Sequence, residues 1–161
     1  MSEYFTILET EDHNTGFDIE WQGDQRVIMF DLIRDEHGHR LPIPLRCIPH
    51  GRLPPEFEQF RRQNGVYIIV DTDADVPIYV GESHTNRLIH TATRHIQTWN
   101  RGPSWGREGV HFGFILCADG GSAYALQNLI IAEFILNGFD LEENNTDRPL
   151  EFNYDPDDPP F

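Results

Sequence analysis

Short apolar blocks separated by polar breaks dominate the first third of the chain. Residues 4–8, 27–33 and 41–48 are rich in the β-branched and aromatic side chains that favour strands. A polar segment at residues 35–39 separates the last two blocks and has the His-Gly-His composition of a turn. The pattern therefore predicts a β-rich extension over residues 1–53.

The middle of the chain has the periodicity of a mixed α and β domain. Residues 65–70 and 78–81 are apolar blocks on either side of an acidic turn, which is typical of a hairpin, and residues 109–117 form a third block. Residues 85–99 place their apolar side chains on one stripe of a helix. We expect an α/β (α+β) domain over residues 54–145, with a three-stranded antiparallel sheet flanked by helices.

Two further helices are predicted. Pro54 suits the first turn of a short helix that ends at Asn64. Residues 121–138 form a longer helix that is apolar nearly all round, which predicts that the helix is buried. Glu133 is the only charged residue in that segment. A carboxylate in such surroundings is costly unless it is paired, protonated or bound to a cation.

Charge is distributed unevenly along the chain. The net charge is −15, and all 12 basic residues are arginines. Residues 1–60 and 119–161 carry net charges of −7 and −9, whereas residues 61–118 carry +1 and four histidines. Since an acidic surface disfavours nucleic acid, any phosphate must meet the middle segment. The acidic, Pro-rich tail at residues 146–161 is predicted to be extended or disordered.

Two tripeptides in the predicted hairpin carry a family resemblance. The sequence Gly-Val-Tyr stands at residues 65–67, and Tyr-Val-Gly follows at residues 79–81. Three polar residues come after them in order: Arg87, Glu133 and Asn145. This ordered set resembles the GIY-YIG nucleases over residues 65–145, and the order is more specific than either tripeptide alone.

The resemblance implies a metal-dependent endonuclease that hydrolyses phosphodiester bonds, with DNA as the substrate. Tyr67 would act as general base and Tyr79 would orient the reactants. A phenol ordinarily has a pKa of about 10, so it needs a nearby cation or base to accept a proton at neutral pH. Arg87 would stabilise charge on the scissile phosphate, and Asn145 would support the site. Glu133 would hold one Mg²⁺ or Mn²⁺ ion, because magnesium keeps most of its waters and needs few protein ligands.

Further residues belong to this predicted site. His90 lies close to the position where the family often has an assisting side chain, and His84 and His95 are alternatives to it. Arg94 shares the polar helix face of Arg87 and is the alternative phosphate ligand. The predicted substrate-binding residues are Gly65, Gly81, Arg94 and His95. An ordinary solvated helix face is the other explanation for these basic side chains.

Other interpretations of the same residues stay open. Tyr67 and Tyr79 could be packing residues, since strands favour tyrosine. Glu133 could be the buried partner of an arginine such as Arg87. The domain could bind without cutting, with its acidic surface recruiting a basic protein, or it could cut only when a separate DNA-binding protein supplies affinity. The acidic segment at residues 71–75 lacks the glycine of a calcium loop and is predicted to be a plain turn.

The sequence has no membrane or disulfide pattern. No stretch reaches the roughly 18 apolar residues of a membrane span, and the first residues lack the basic and apolar blocks of a secretory signal. We therefore expect a cytoplasmic protein with no membrane partner. Cys47 and Cys117 lie far apart, and Cys117 follows three apolar residues, so they predict neither a disulfide framework nor a cysteine metal site.

Overall fold

The computed structural model of the 161-residue chain describes seven segments. They are residues 5–8, 15–47, 55, 62–71, 74–84, 110–139 and 141. Within these segments the architecture is α+β, with three antiparallel sheets and one helix.

Strands are short in the N-terminal part and long in the centre. In chain order they are β1 (Thr6–Ile7), β2 (Phe17–Gln22), β3 (Gln25–Phe30), β4 (Ile33–Arg34), β5 (Ile43–Pro44), β6 (Arg46–Cys47), β7 (Asn64–Asp71), β8 (Val76–Ser83) and β9 (Val110–Cys117). The helix, α1, is Gly120–Leu136.

The largest sheet has the strand order β6-β9-β7-β8, and every neighbouring pair is antiparallel. β7 lies in its interior, where the register aligns Tyr67 with Gly81 on one side and with Phe114 on the other. Residues 64–70 are all buried. Burial on both faces explains why this strand is a continuous apolar run in the sequence instead of an alternating one.

Side chains alternate between the two faces of this sheet. Alternate residues of β7 join one core cluster with residues of α1: Val66, Ile68, Val70, Leu126 and Ile130. The residues between them, Tyr67 and Ile69, point to the opposite face and are fully buried there. We name these two faces of the sheet the helix face and the tyrosine face.

Both ends of α1 are capped. The Asp119 side chain accepts a hydrogen bond from the Ser122 N–H at 2.7 Å, as an N-cap does, and this bond lowers the pKa of the Asp119 carboxyl. After the helix, Gly138 has a φ of +89°, a left-handed conformation that favours glycine. The caps define where α1 starts and stops, and its buried residues then decide which face meets the sheet.

The N-terminal strands pack onto the same core. β2, β3 and β5 form one sheet in that order, and β1 pairs with β4. The Phe30 ring lies 5.5 Å from the Phe134 ring of α1, measured between centroids, and the Phe17 ring lies 4.8 Å from it. The extension therefore covers the C-terminal half of α1 with aromatic side chains.

Ion pairs add a second set of links to the extension. Arg26 pairs with Asp75 of the hairpin turn and lies over the Trp21 ring, 5.2 Å from its centroid. Arg40 donates to Asp18 at 2.5 Å, and this bond raises the pKa of Arg40. Exposed pairs usually contribute about 1 kcal/mol or less, so the aromatic contacts hold the extension more strongly.

The structure confirms the predicted hairpin as β7 and β8 and the predicted third strand as β9. The strand predicted over residues 27–33 ends earlier, at Phe30, because Asp31 and Leu32 form a turn before β4. The sheet that carries the hairpin has four strands and not three, because β6 from the extension pairs with β9.

The polar turns agree with their predicted character where they are described. The Asp35 carboxylate accepts hydrogen bonds from the backbone N–H groups of His37 at 2.9 Å and His39 at 3.0 Å, so this segment is a turn. Most of the helix predicted before Asn64 lies outside the described residues, as do the helix predicted over residues 85–99 and the tail at residues 146–161.

The structure also corrects the predicted burial of α1. Tyr124, Ile135 and Leu136 are exposed to 48%, 56% and 68%. The helix is buried only along one side, and its opposite side is apolar and open. The described part of the chain contains no helix that combines the length and apolar character of a membrane span.

We expect Leu126→Ala to lower the free energy of unfolding by about 2–5 kcal/mol, because Leu126 is fully buried between α1 and the helix face of the sheet. The matched control is Leu8→Ala, since Leu8 is 47% exposed and should cost less than about 1 kcal/mol. Urea unfolding of both variants measures the difference. Equal losses would contradict the assigned packing of α1.

Candidate functional site

The two motif tyrosines lie together on the tyrosine face. Tyr67 of β7 is fully buried and Tyr79 of β8 is 5% exposed, and their rings are stacked with centroids 5.8 Å apart. From β9, the rings of Phe112 and Phe114 lie 6.3 Å and 6.4 Å from the Tyr67 ring. The hairpin thus places both tyrosine rings in one buried aromatic cluster, which also fits the packing role that the sequence left open for them.

Gly81 has a physical reason to be glycine. It is the cross-strand partner of Tyr67, and the Tyr67 ring lies against its backbone. A Cβ at this position would stand 2.7 Å from Tyr67 Cε1, with Cζ and Oη nearer still. Side chains do not approach so closely, so any larger residue would force the ring away. The glycine of the second motif therefore makes room for the tyrosine of the first.

Glu133 lies on α1 and is 6% exposed. Its carboxylate accepts a hydrogen bond from Thr15 Oγ1, which stands 3.1 Å from Oε1 and 3.0 Å from Oε2. Thr15 is 118 positions away in the sequence, just before β2. Within the described segments the partner of Glu133 is this hydroxyl. Arg87, the arginine partner that the sequence left open, lies outside those segments.

Glu133 and the tyrosines are on opposite sides of the sheet. α1 packs against the helix face, whereas Tyr67 and Tyr79 form the aromatic cluster on the tyrosine face. The structure therefore brings the two tyrosines and Gly81 together but does not bring Glu133 beside them. Gly65 lies in β7, paired with Ser83.

Five other predicted site residues lie outside the described residues. They are Arg87, His90, Arg94, His95 and Asn145. Their roles remain predictions from the sequence.

Glu133 has few potential metal ligands beside it among the described residues. The described segments contain no cluster of three or more His, Cys, Asp or Glu side chains suited to a metal. Glu133 supplies one carboxylate, with the Thr15 hydroxyl beside it. Such a donor set fits Mg²⁺ only if waters and substrate phosphate complete the coordination, which is the usual manner of magnesium.

A carboxylate and histidine pair at the end of β8 was not predicted as a unit. The Glu82 side chain is 1% exposed, and its oxygens lie 3.1 Å and 3.2 Å from His84 Nδ1. An ionised Glu82 carboxylate can only accept, so it pairs with the His84 tautomer that carries a proton on Nδ1. The spacing of two along a strand places both side chains on the helix face and is the sequence feature that could have revealed the pair.

His84 also borders a cavity of about 380 Å³ at the start of α1, which Gly120, Gly121 and Tyr124 line as well. Cys117, at the end of β9, has a pKa that is raised to about 12 by burial, with smaller contributions from the charges of Asp119 and Glu82. The Cys117 thiol is therefore neutral at physiological pH, and it is unsuited to act as a nucleophile or thiolate ligand.

Comparisons with known proteins returned nothing similar. No protein-family model, no curated protein and no solved structure matches this chain.

We expect Gly81→Ala to lower the free energy of unfolding by about 1–3 kcal/mol, because its Cβ would overlap the Tyr67 ring. In a Tyr67→Leu background the same change should cost much less, since the aromatic ring is gone. Urea unfolding of the four proteins of this cycle gives the coupling energy. A coupling energy near zero would contradict the contact between Tyr67 and Gly81.

We expect Thr15→Val to lower the free energy of unfolding by about 1–3 kcal/mol, because it removes the hydroxyl that donates to the buried Glu133 carboxylate. Glu133→Gln should cost less, since the amide oxygen can still accept from Thr15. Urea unfolding at pH 7 with chelator present compares the two variants. A loss of about 3 kcal/mol or more for Glu133→Gln would instead indicate a buried ion pair with a cation.

Proposed function

We propose that this chain is a metal-dependent endonuclease that hydrolyses DNA phosphodiester bonds through a GIY-YIG type site. The observation that carries the proposal is the aromatic cluster on the tyrosine face. The rings of Tyr67 and Tyr79 stack across neighbouring strands, and Gly81 leaves room for the Tyr67 ring because it has no Cβ. This contact makes the two tripeptides one structural unit, which supports reading them as one motif.

The chemistry of the proposal is in-line hydrolysis. Tyr67 accepts a proton from the attacking water as its own phenol proton passes to the assisting histidine, while Tyr79 orients the water and the phosphate. The water oxygen forms a bond to phosphorus, the bond to the leaving sugar oxygen breaks, and that oxygen takes up a proton from solvent water. Arg87 stabilises the added negative charge on the phosphate, with Arg94 as the alternative, and Asn145 supports the arrangement. His90, or His95 in its place, assists the phenol of Tyr67. His84, the other alternative, lies on the helix face beside Glu82 and not with Tyr67.

Glu133 is the proposed ligand of Mg²⁺ or Mn²⁺ in this scheme. When bound, the metal supplies positive charge to the scissile phosphate and lowers the cost of attack on it. The only protein groups assigned to the ion are the Glu133 carboxylate and, beside it, the Thr15 hydroxyl. Gly65, Gly81, Arg94 and His95 are the proposed contacts for the nucleic acid.

The position of Glu133 favours a second candidate function. Because α1 lies against the helix face, the proposed metal ligand is separated from the tyrosines by the sheet. A domain with this arrangement would bind nucleic acid or a protein partner without cutting. The net charge of −15 fits a basic protein partner, and it also fits a nuclease subunit that depends on a separate DNA-binding protein for affinity.

A nicking assay with supercoiled plasmid, Mg²⁺ or Mn²⁺ and low salt separates the two candidates. We expect wild-type protein to nick the plasmid only with metal, and Tyr67→Phe to lower the rate by about a hundredfold or more, because the general base is lost. The matched control is Tyr124→Phe, which removes a phenol outside the aromatic cluster and should keep the wild-type rate.

Each negative result has a distinct meaning. A Tyr67→Phe variant with the wild-type rate would refute the role of the phenol. A Glu133→Gln variant that nicks at the wild-type rate would refute the assignment of Glu133 as the metal ligand. If Arg94→Ala is inactive and Arg87→Ala is normal, then Arg94 and not Arg87 is the residue that stabilises charge on the phosphate. Wild-type protein that binds DNA but does not nick it with either metal would favour the non-cutting scaffold.

A further inference from the structure

The open side of α1 is a continuous stripe without charge. Seven of its residues are exposed, and they recur at spacings of three and four, which places them on one side of the helix. We name this set the outer stripe: Gly121, Tyr124, Ala125, Asn128, Ala132, Ile135 and Leu136. It contains no acidic or basic residue, although the chain holds 27 Asp and Glu residues and 12 arginines.

An apolar stripe of this kind is unusual on an acidic surface. Two chains that each carry a net charge of −15 repel each other, and a contact through surface without charge adds least to that repulsion. Contiguous exposed apolar patches commonly mark interaction surfaces. A basic partner would instead need acidic groups to pair with, and the outer stripe offers it none.

The two ends of the outer stripe have complementary shapes. At the N-terminal end, the cavity of about 380 Å³ is bordered by Gly120, Gly121 and Tyr124. At the C-terminal end, Ile135 and Leu136 extend into solvent, exposed to 56% and 68%. The same helix thus carries an open apolar recess at one end and two aliphatic side chains at the other.

A twofold axis through the middle of α1 would bring these ends together. α1 runs from Gly120 to Leu136, so Asn128 stands at its midpoint. In an antiparallel pair centred there, residues equally far from Asn128 meet at the same level. Leu136 then stands opposite Gly120 of the second copy, and Ile135 stands opposite Gly121, so the aliphatic side chains enter the recess.

The other residues that stand opposite each other in this helix pair are also compatible in size and polarity. Tyr124, the largest residue of the outer stripe, stands opposite Ala132. Asn128 meets its own copy, and a side-chain amide can both donate to and accept from another amide. This register therefore places every large side chain against a small one and pairs the single central polar group with itself, as an isologous interface requires.

We propose that the outer stripe of α1 is a homodimer interface, in which two copies of this chain pack their α1 helices antiparallel about a twofold axis at Asn128. The proposal is independent of the nuclease proposal, since α1 packs on the helix face and the outer stripe points away from the sheet. One helix pair is a small interface, so we expect a weak, reversible dimer.

Sedimentation velocity over a wide range of protein concentration tests the dimer directly. We expect a monomer at low concentration and a dimer at high concentration. Leu136→Asp should abolish the dimer, because it places a charge in the apolar recess, whereas Leu8→Asp changes another exposed leucine and should leave the dimer intact. Asn128→Asp should raise the dissociation constant by about a hundredfold, since two carboxylates then face each other.

Salt distinguishes self-association from capture of a basic partner. Added salt screens the repulsion between two chains of −15 each and so should tighten the dimer, whereas it would weaken a contact between opposite charges. Dimerisation that weakens with salt would overturn the proposal.

Exchanging the large and the small residue at positions 124 and 132 tests the register of the proposed helix pair. Ala132→Tyr should weaken the dimer, because two tyrosines then stand at one level, and adding Tyr124→Ala should restore it. All of these positions are exposed, so circular dichroism should show an unchanged fold. A chain that stays monomeric at all concentrations would overturn the proposal. A dimer indifferent to Leu136→Asp and Asn128→Asp, or a size exchange that does not rescue, would also overturn it.

Discussion

The close contact between the Tyr67 ring and the Gly81 backbone is the constraint on which the central sheet depends. Tyr67 can lie flat across β8 only where its cross-strand partner has no Cβ. That single pairing sets the register of β7 against β8. With the register set, alternation along both strands sends every aromatic side chain of the cluster to one face and Val66, Ile68 and Val80 to the other.

This division of side chains decides where function can reside. The helix face receives α1 and the aromatic rings of the extension, and it also holds Glu133 and the Glu82–His84 pair. The tyrosine face holds the phenols. A catalytic site that needs both phenols and Glu133 would have to join groups from two sides of one sheet, so the position of the carboxylate is the strongest physical argument for the non-cutting candidate.

The sequence predicts those parts of the fold that are encoded locally. β7, β8 and β9 are long apolar runs with clear turn residues between them, and so their positions follow from pattern alone. β2 was missed because Asp18 and Glu20 interrupt its apolar residues, and only pairing with β3 makes it a strand. The partner of Glu133 could not be predicted, since Thr15 is 118 positions away and reaches it only through tertiary packing. Likewise, composition alone could not reveal that one side of α1 stays exposed, because an apolar helix face looks the same whether the chain itself or a second copy covers it.

The most direct test of the functional role of the tyrosine face is an NMR titration of ¹⁵N-labelled protein with a short DNA duplex, at low salt and with Mg²⁺ present. We expect the largest shift changes at the backbone amides of Tyr67, Tyr79 and Gly81, with smaller changes in the strands β2 and β3. Shift changes confined to β2 and β3, or a duplex that leaves the amides of β7 and β8 unmoved, would contradict the assignment of this face as the nucleic-acid site.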